Sequence, residues 1–442
     1  MATTSPDRIV SLDLIRGFAV LGIFSVNIIG MAFMQGVYFQ PILQGFDGVG
    51  DKAMYLANFV LVDGKLRCLF SMLFGASMLL VIDRAVEAGK AGWRVHYPRI
   101  FWLLVIGLAH YYILWWGDIL SHYAMIGALA YLWWKRSAKV LIIWSAILLF
   151  ISAIAMPVGG AIGQYLQQQE QEAEQAAAAE ATDGDAAATA DPDALAATGK
   201  ADKAPAEPQR RGPPPEMFEE AKAKHESPAS HLEAQLSNNP LQPFMVSVFL
   251  LPETLGYMLL GMALYRIGFL TGEKSDRVYR KWALWGLGGL ALYTAGVAAW
   301  IVTGNYDFMY AGLGRNVFTP WTRPLMAMGY AAVLILWIRG SGMTWLSTRL
   351  AAVGRMAFTN YLSMTLIMTP FMFGFGFGLF GELTRGTAWL YFVPAMWLGM
   401  LMFSKWWLDQ YRYGPLEWVW RSLSRWQLQP MRKGAPAIPA AA

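Results

Sequence analysis

The sequence predicts an all-α polytopic transmembrane helix bundle with about ten spans, interrupted by one disordered polar loop. Three observations carry this. Of 442 residues, 56% are hydrophobic and 15% charged, whereas a soluble domain carries roughly 25% charged residues. The mean hydropathy is +0.36 even though one long stretch is very polar. Apolar runs of about 20 residues, enough to cross a hydrocarbon core about 30 Å thick, recur along the chain. A soluble enzyme, a disordered protein and a nucleic-acid-binding protein are excluded. The net charge of +5 comes from short basic clusters between apolar runs, not from a single basic stripe.

The first run, 11–33, reads as a permanent span, because Asp13 and Arg16 interrupt it and no small-residue cleavage site follows. Runs at 55–82, 100–116, 118–134 and 140–160 complete an N-terminal bundle over 1–160. Residues 161–240 are rich in Ala, Glu, Gln, Asp and Pro. Such a stretch buries too little apolar surface to offset its chain entropy, so it is expected as a disordered loop with a helical start. Runs at 244–265, 282–303, 321–338, 352–373 and 387–408 make a C-terminal bundle over 241–425, followed by a basic Pro/Ala tail at 426–442. Across the flanks and short connections, 23 Lys and Arg fall on one side and six on the other. That asymmetry predicts cytoplasmic termini, with loop 161–240 outside the cytoplasm. Cys68 is the sole cysteine, so neither an internal disulfide nor a Cys-based zinc site can form. His225 and His231 in the loop read as solvated chain, and no metal site is expected.

Titratable groups inside spans are costly, so each is a functional candidate. The densest set is in GLAHYYILWWGDILSHYAMIGAL. His110 sits near one end of the third span, Gly117 and Asp118 mark a tight reversal, and Asp118 and His122 are four apart on one helix face. A carboxylate holding an imidazole in one tautomer equips it as a general base. His110, Asp118 and His122 are therefore the candidate catalytic group, taking a proton from an acceptor hydroxyl or amine. The alternative is that they hydrogen-bond neighbouring helices beside an aromatic belt of Tyr111, Tyr112, Trp115 and Trp116. His96 reads as a lipid headgroup contact.

In DGKLRCLFSMLFGA, the alternation of Asp63, Lys65 and Arg67 favours no single helix face and points to a re-entrant or broken segment. Lys65 and Arg67 either hold an anionic substrate or snorkel to headgroups. At the other side of the membrane, Arg16 either pairs with Asp13 or meets a phosphate-bearing donor. Asn27, Arg355 and Asn360 complete the candidate binding residues, and Glu253 is a buried carboxylate without an assigned partner. Glycines, as in LGYMLLGMALY, are expected where helices pack closely. No Walker loop, dinucleotide fingerprint, nucleophile elbow or HExxH motif is present.

SLDLIRGFAVLGIFSVNI, GKLRCLFSMLFGAS, GDILSHYAMIGAL, LGYMLLGMALYRIGFL, GRMAFTNYLSMTLI and RYGPLEWVWRSLS resemble the YeiB-like family of bacterial inner-membrane proteins, defined by domain of unknown function 418. The resemblance runs through nearly all the chain outside the Ala/Glu/Gln-rich insert, which departs from the family pattern. LDxxRGFA followed by VN is also distantly similar to transmembrane acyltransferases. That likeness implies transfer of an acyl group from cytoplasmic acyl-CoA to an acceptor across the membrane, with an intramembrane histidine central to the chemistry. The resulting expectation is an inner-membrane protein in contact with the lipid bilayer, with no bound cofactor, acyl-CoA as donor substrate and a small molecule or glycan as acceptor. The rival readings are a small-molecule carrier, favoured by Pro252 and Pro370 within spans, and a non-catalytic scaffold.

Overall fold

The computed structural model describes residues 9–159, 169, 215–238 and 240–434, and among these the chain is helical with no strand. The N-terminal segment forms α1 (Val10–Ala32), α2 (Gln35–Phe39), α3 (Val49–Leu61), α4 (Lys65–Glu87), α5 (Gly92–Ile113), α6 (Leu120–Ala130) and α7 (Ala138–Gly159). Then come α8 (Pro215–Ala223), α9 (Pro228–Asn238), α10 (Gln242–Phe249), α11 (Leu251–Arg266) and α12 (Asp276–Lys281). A π-helical stretch, Trp282–Gly289, leads into α13 (Leu290–Thr303) and α14 (Phe308–Leu313). The chain ends through α15 (Thr322–Ser341), α16 (Trp345–Arg355), α17 (Ala357–Met372), α18 (Arg385–Gln410) and α19 (Pro415–Arg425).

Six helical stretches are long and apolar enough to cross a membrane: α1, Val49–Glu87, α7, Asp276–Thr303, α15 and α18. A seventh is the α10–α11 pair, bent by 63°. Three of the ten expected spans differ from this pattern. The 100–116 run lies in α5, whose length suffices but whose Arg94, His96, Arg99 and His110 make it polar. The 118–134 run holds an 11-residue helix, because Asp118 ends the preceding reversal and a 3-10 turn follows at Tyr131–Trp133. The 352–373 run is divided at Met356 between α16 and α17. Hydropathy sums apolar content and is blind to such breaks.

One hydrophobic core joins both segments: Leu14 and Phe24 of α1 and Leu69 and Met72 of α4 cluster with Ile335 of α15 and Met364 and Met368 of α17. The apolar window of α1 is 72% buried and that of α7 is 17% buried, so α1 is the central post and α7 presents its surface outward. Backbones touch at two glycine seams. A Cβ on Gly17 or Gly354 would overlap the carbonyl of Leu350 or Asp13, closing α1 on α16. A Cβ on Gly75 or Gly261 would overlap the carbonyl of Met258 or Met72, closing α4 on α11. Small residues permit this approach and the dispersion contacts that come with it.

The two C-terminal motifs meet each other. Glu417 of α19 accepts hydrogen bonds from the backbone N–H of Phe358 (2.8 Å) and Thr359 (3.0 Å) and from the Thr359 hydroxyl (2.5 Å). It thereby serves the otherwise unpaired amides at the start of α17, where the helix dipole also favours a carboxylate. Burial raises the pKa of Glu417, while these donors act to lower it. Glu417→Ala is expected to cost about 1–3 kcal/mol, the penalty for stranding buried donors. Thermal unfolding in detergent reads this, with Glu417→Gln losing less.

Residues 215–238 are not the disordered chain expected of loop 161–240. They form α8 and α9, and Gly374 N–H donates to the His225 carbonyl at 2.8 Å. The His225 ring stacks on Phe373 at 4.1 Å, and its Nδ1 lies 3.0 Å from Nδ1 of His231. Both histidines are therefore packed, not solvated, and burial, with His231 beside it, pushes the pKa of His225 down to about 3. The rest of the loop, including its Ala/Glu/Gln-rich run, lies outside the described residues. His96 is also buried, with Nε2 3.0 Å from the Gly127 carbonyl oxygen and its ring stacked on Tyr131. A headgroup contact does not describe it.

Candidate functional site

The chain breaks between α3 and α4 at Val62–Gly64, where Gly64 adopts φ 74°. Only glycine takes that conformation without strain, and a Cβ there would strike the Arg323 side chain. The break puts Asp63, Lys65 and Arg67 among distant partners. Lys65 is buried, donates to the Phe59 carbonyl and lies over the Phe59 ring. Arg67 Nη2 donates to Glu253 Oε2 at 2.5 Å, while Arg323 Nη1 and the Tyr257 hydroxyl donate to Glu253 Oε1 at 2.7 and 2.8 Å. Arg323 Nη2 donates to the Arg315 carbonyl at 2.8 Å, and Arg315 Nε lies 3.3 Å from Asp63 Oδ2. The Tyr38 hydroxyl donates to Asp63 Oδ1 at 3.2 Å. Burial, reinforced by the Asp63 charge, raises the Tyr38 phenol above its usual pKa.

A cleft enclosing about 80 Å³ opens beside this cluster. Its polar end is formed by Asn27, Tyr38, Asp63 and Arg67, and its apolar wall by Val20, Ile23, Leu66 and Phe70. Gly117, Ile119, Tyr123 and Tyr361 close the far side. A second chamber enclosing about 30 Å³ shares Val26, Tyr38 and Asp63 with it and carries Arg315 and Arg385.

His110 and Asp118 stand behind the Gly117–Ile119 wall. His110 Nδ1 lies 2.9 Å from Asp118 Oδ1, and Nε2 lies 2.9 Å from the Thr365 hydroxyl. Asp118 also accepts from the Leu120 and Ser121 amides (3.1 and 2.8 Å) and the Ser121 hydroxyl (2.6 Å), so it caps α6. His122 turns to the other side, its Nε2 2.8 Å from the Thr254 hydroxyl, and does not join His110. The α5–α6 reversal thus brings together two of the three candidate catalytic residues.

Toward the opposite end of the bundle, Arg16 donates to Ser77 Oγ (2.5 Å), Asp13 Oδ1 (3.3 Å) and the Gly354 carbonyl (3.4 Å). Arg355 donates to the Arg412 carbonyl at 3.2 Å. Asn360 donates to the Val353 carbonyl (3.1 Å) and Ser404 (3.0 Å). Neither these three nor Lys65 line the two chambers, whereas Arg67 and Asn27 line the first. Among the described residues, no group of three or more His, Cys, Asp or Glu is placed to hold a metal ion.

Sequence reading missed Tyr38, Thr365, Arg315, Arg323 and Arg385 as site residues. For the arginines a signal was present. Lys65, Arg67, Arg315, Arg323 and Arg385 are five of the six basic residues on the Lys/Arg-poor side, where charge is retained against the topological bias. Thr365 gave no signal, being one hydroxyl in an apolar run.

The long apolar helices, with charged groups gathered inside the bundle, define an integral membrane protein of all-helical construction. The resemblance to the YeiB-like family is shown by comparison with known proteins. Residues 264–427 match the family model described as "Protein of unknown function (DUF418)". The chain is 27% identical to the uncharacterized protein YxaH of Bacillus subtilis (strain 168) over 98% of both chains. It is likewise 27% identical to the uncharacterized protein YeiB of Escherichia coli (strain K12) over 98% of both. An uncharacterized 39.9 kDa protein in the amylase 3' region of Bacillus acidopullulyticus is 25% identical over 95% of this chain and 94% of its own. No solved structure matches.

Proposed function

We propose that the protein transfers an acyl group from cytoplasmic acyl-CoA to a small-molecule or glycan acceptor at the outer face of the bacterial inner membrane. In this reading the polypeptide crosses the bilayer about ten times, with α5, α6 and the α16–α17 segment as the additional crossings. Its termini are cytoplasmic and residues 161–240 periplasmic, as the Lys/Arg asymmetry favours. The observation that carries the reading is the hydrogen-bonded line Asp118–His110–Thr365, directly behind the cleft wall at Gly117, Ile119 and Tyr361. Asp118 orients His110. When the Thr365 hydroxyl swings off Nε2, that nitrogen accepts the acceptor's proton as its oxygen or nitrogen attacks the thioester carbon. The C–S bond breaks, and the departing thiolate takes up a proton. Donor entry near Arg16 requires α1 and α16 to part at Gly17 and Gly354.

The test uses the purified full chain in vesicles supplied with acyl-CoA. His110→Ala is expected to lower donor consumption by roughly 10²–10⁴-fold, the contribution of a positioned base, measured well below an unfolding temperature that itself falls because buried Asp118 and Thr365 lose their partner. Consumption unchanged in His110→Ala overturns the proposal. A carrier is the second reading, because two broken helices, α3–α4 and α10–α11, bring the N-termini of α4 and α11 toward the charge cluster. Solute movement without a donor would favour it.

A further inference from the structure

The region around the α3–α4 break gathers more guanidinium groups than carboxylates. Arg67, Arg315, Arg323 and Arg385 stand with three carboxylates, Asp51, Asp63 and Glu253; Arg67 lines the cleft, and Arg315 and Arg385 line the second chamber. Glu253 takes only one edge of Arg67. Its Nη1 is buried with no hydrogen-bond partner among the described residues, and the same holds for Arg385 Nε on the second chamber. A guanidinium N–H left unpaired in a buried site costs free energy, and surplus charge in a low dielectric adds to that cost. An anion relieves both. The rest of the lining is of another kind: Val20, Ile23, Leu66 and Phe70 are apolar.

We propose that the cleft binds a phosphate-bearing amphiphile, its phosphate at Arg67 and its chain along Val20, Ile23 and Phe70. The planar fork of a guanidinium matches phosphate oxygens, and the apolar lining contributes by desolvation of the chain. This rests on the proposed transfer reaction, takes the cleft beside His110 as the place of its acceptor, and narrows the acceptor to this chemical class. Binding is read without any acyl donor, so a failure of transfer and a failure of binding are distinguishable.

The purified full chain in an uncharged detergent is heated with short-chain phosphatidylglycerol, with inorganic phosphate, or with chloride at matched ionic strength. The lipid is expected to raise the unfolding temperature at concentrations well below those at which phosphate acts, and chloride is expected to do nothing. Arg67→Gln is expected to raise the half-effective lipid concentration roughly ten- to a hundredfold, as loss of a charge-assisted hydrogen bond implies. Because Arg67 also pairs with Glu253, a second variant, Val26→Phe, fills the junction of the two chambers without touching an ion pair. It is expected to fold as the parent does and to lose the lipid response, whereas Arg339→Gln keeps it. Equal action of phosphate and lipid overturns the role of the chain and leaves free phosphate as the ligand. A response to chloride, or an undiminished lipid response in Val26→Phe, overturns the site.

Discussion

Glu253→Ala is expected to lose about 3–5 kcal/mol of stability, the cost of breaking a buried ion pair from one side. Arg67 and Arg323 bond opposite oxygens of this carboxylate, at 2.5 and 2.7 Å. Removing it leaves two guanidiniums and the Tyr257 hydroxyl without their acceptor, Arg323 and Tyr257 among them being buried. The measurement is thermal unfolding in detergent, combined with a double-mutant cycle against Arg323→Gln. The pair of substitutions is expected to recover part of the loss, because one stranded charge is removed with its partner. An unfolding temperature equal to the parent's in Glu253→Ala would falsify the bridging role. The ligand proposal gives the same variant a second expected effect: with Arg67 released, the cleft becomes more cationic and loses its fixed geometry.

Gly261→Leu is expected to cost at least about 1–3 kcal/mol by overpacking. Its Cβ would overlap the Met72 carbonyl, which belongs to a helix backbone and cannot rotate aside. The α4–α11 seam would have to open, and Gly75 would lose its fit against Met258 at the same time. Since α4 carries Arg67 and α11 carries Glu253, opening the seam also strains that ion pair. Gly354→Leu is expected to act in the same way on α1 and α16. Gly296→Ala and Gly399→Ala are the controls. Nothing lies within 4 Å of a Cβ at either helical position, so each is expected to be neutral or to gain up to about 1 kcal/mol from reduced chain entropy. Protease resistance and unfolding temperature report both sets, and equal losses at all four sites would remove the case for close seams.

The all-helical membrane class was legible because it depends on composition and run length, which are properties of the chain alone. The His110–Asp118 approach was legible for a related reason: eight residues and a Gly117 reversal leave the two side chains little choice of neighbourhood. Thr365, 255 residues from His110, was not legible, and neither were the two arginine partners of Glu253, which lie 186 and 70 residues away. Which face of α17 or α15 turns toward α5 or α11 is a matter of packing, and no local pattern encodes it. Breaks at Met356 and Leu250 were missed because apolar content runs straight through them.

The sequence by itself determined that this chain lives in a membrane, that it is built of helices, and which polar residues are too costly to be incidental. Its glycines also marked where helices can close. Only the tertiary structure decided which charges meet, that Arg67 lines one cleft while Arg315 and Arg385 line a chamber beside it, and that His110 stands behind the cleft wall with both ring nitrogens engaged. The reason is physical: burial of apolar surface depends on amount, while an ion pair or hydrogen bond forms only when two groups come within about 3 Å at a permitted angle.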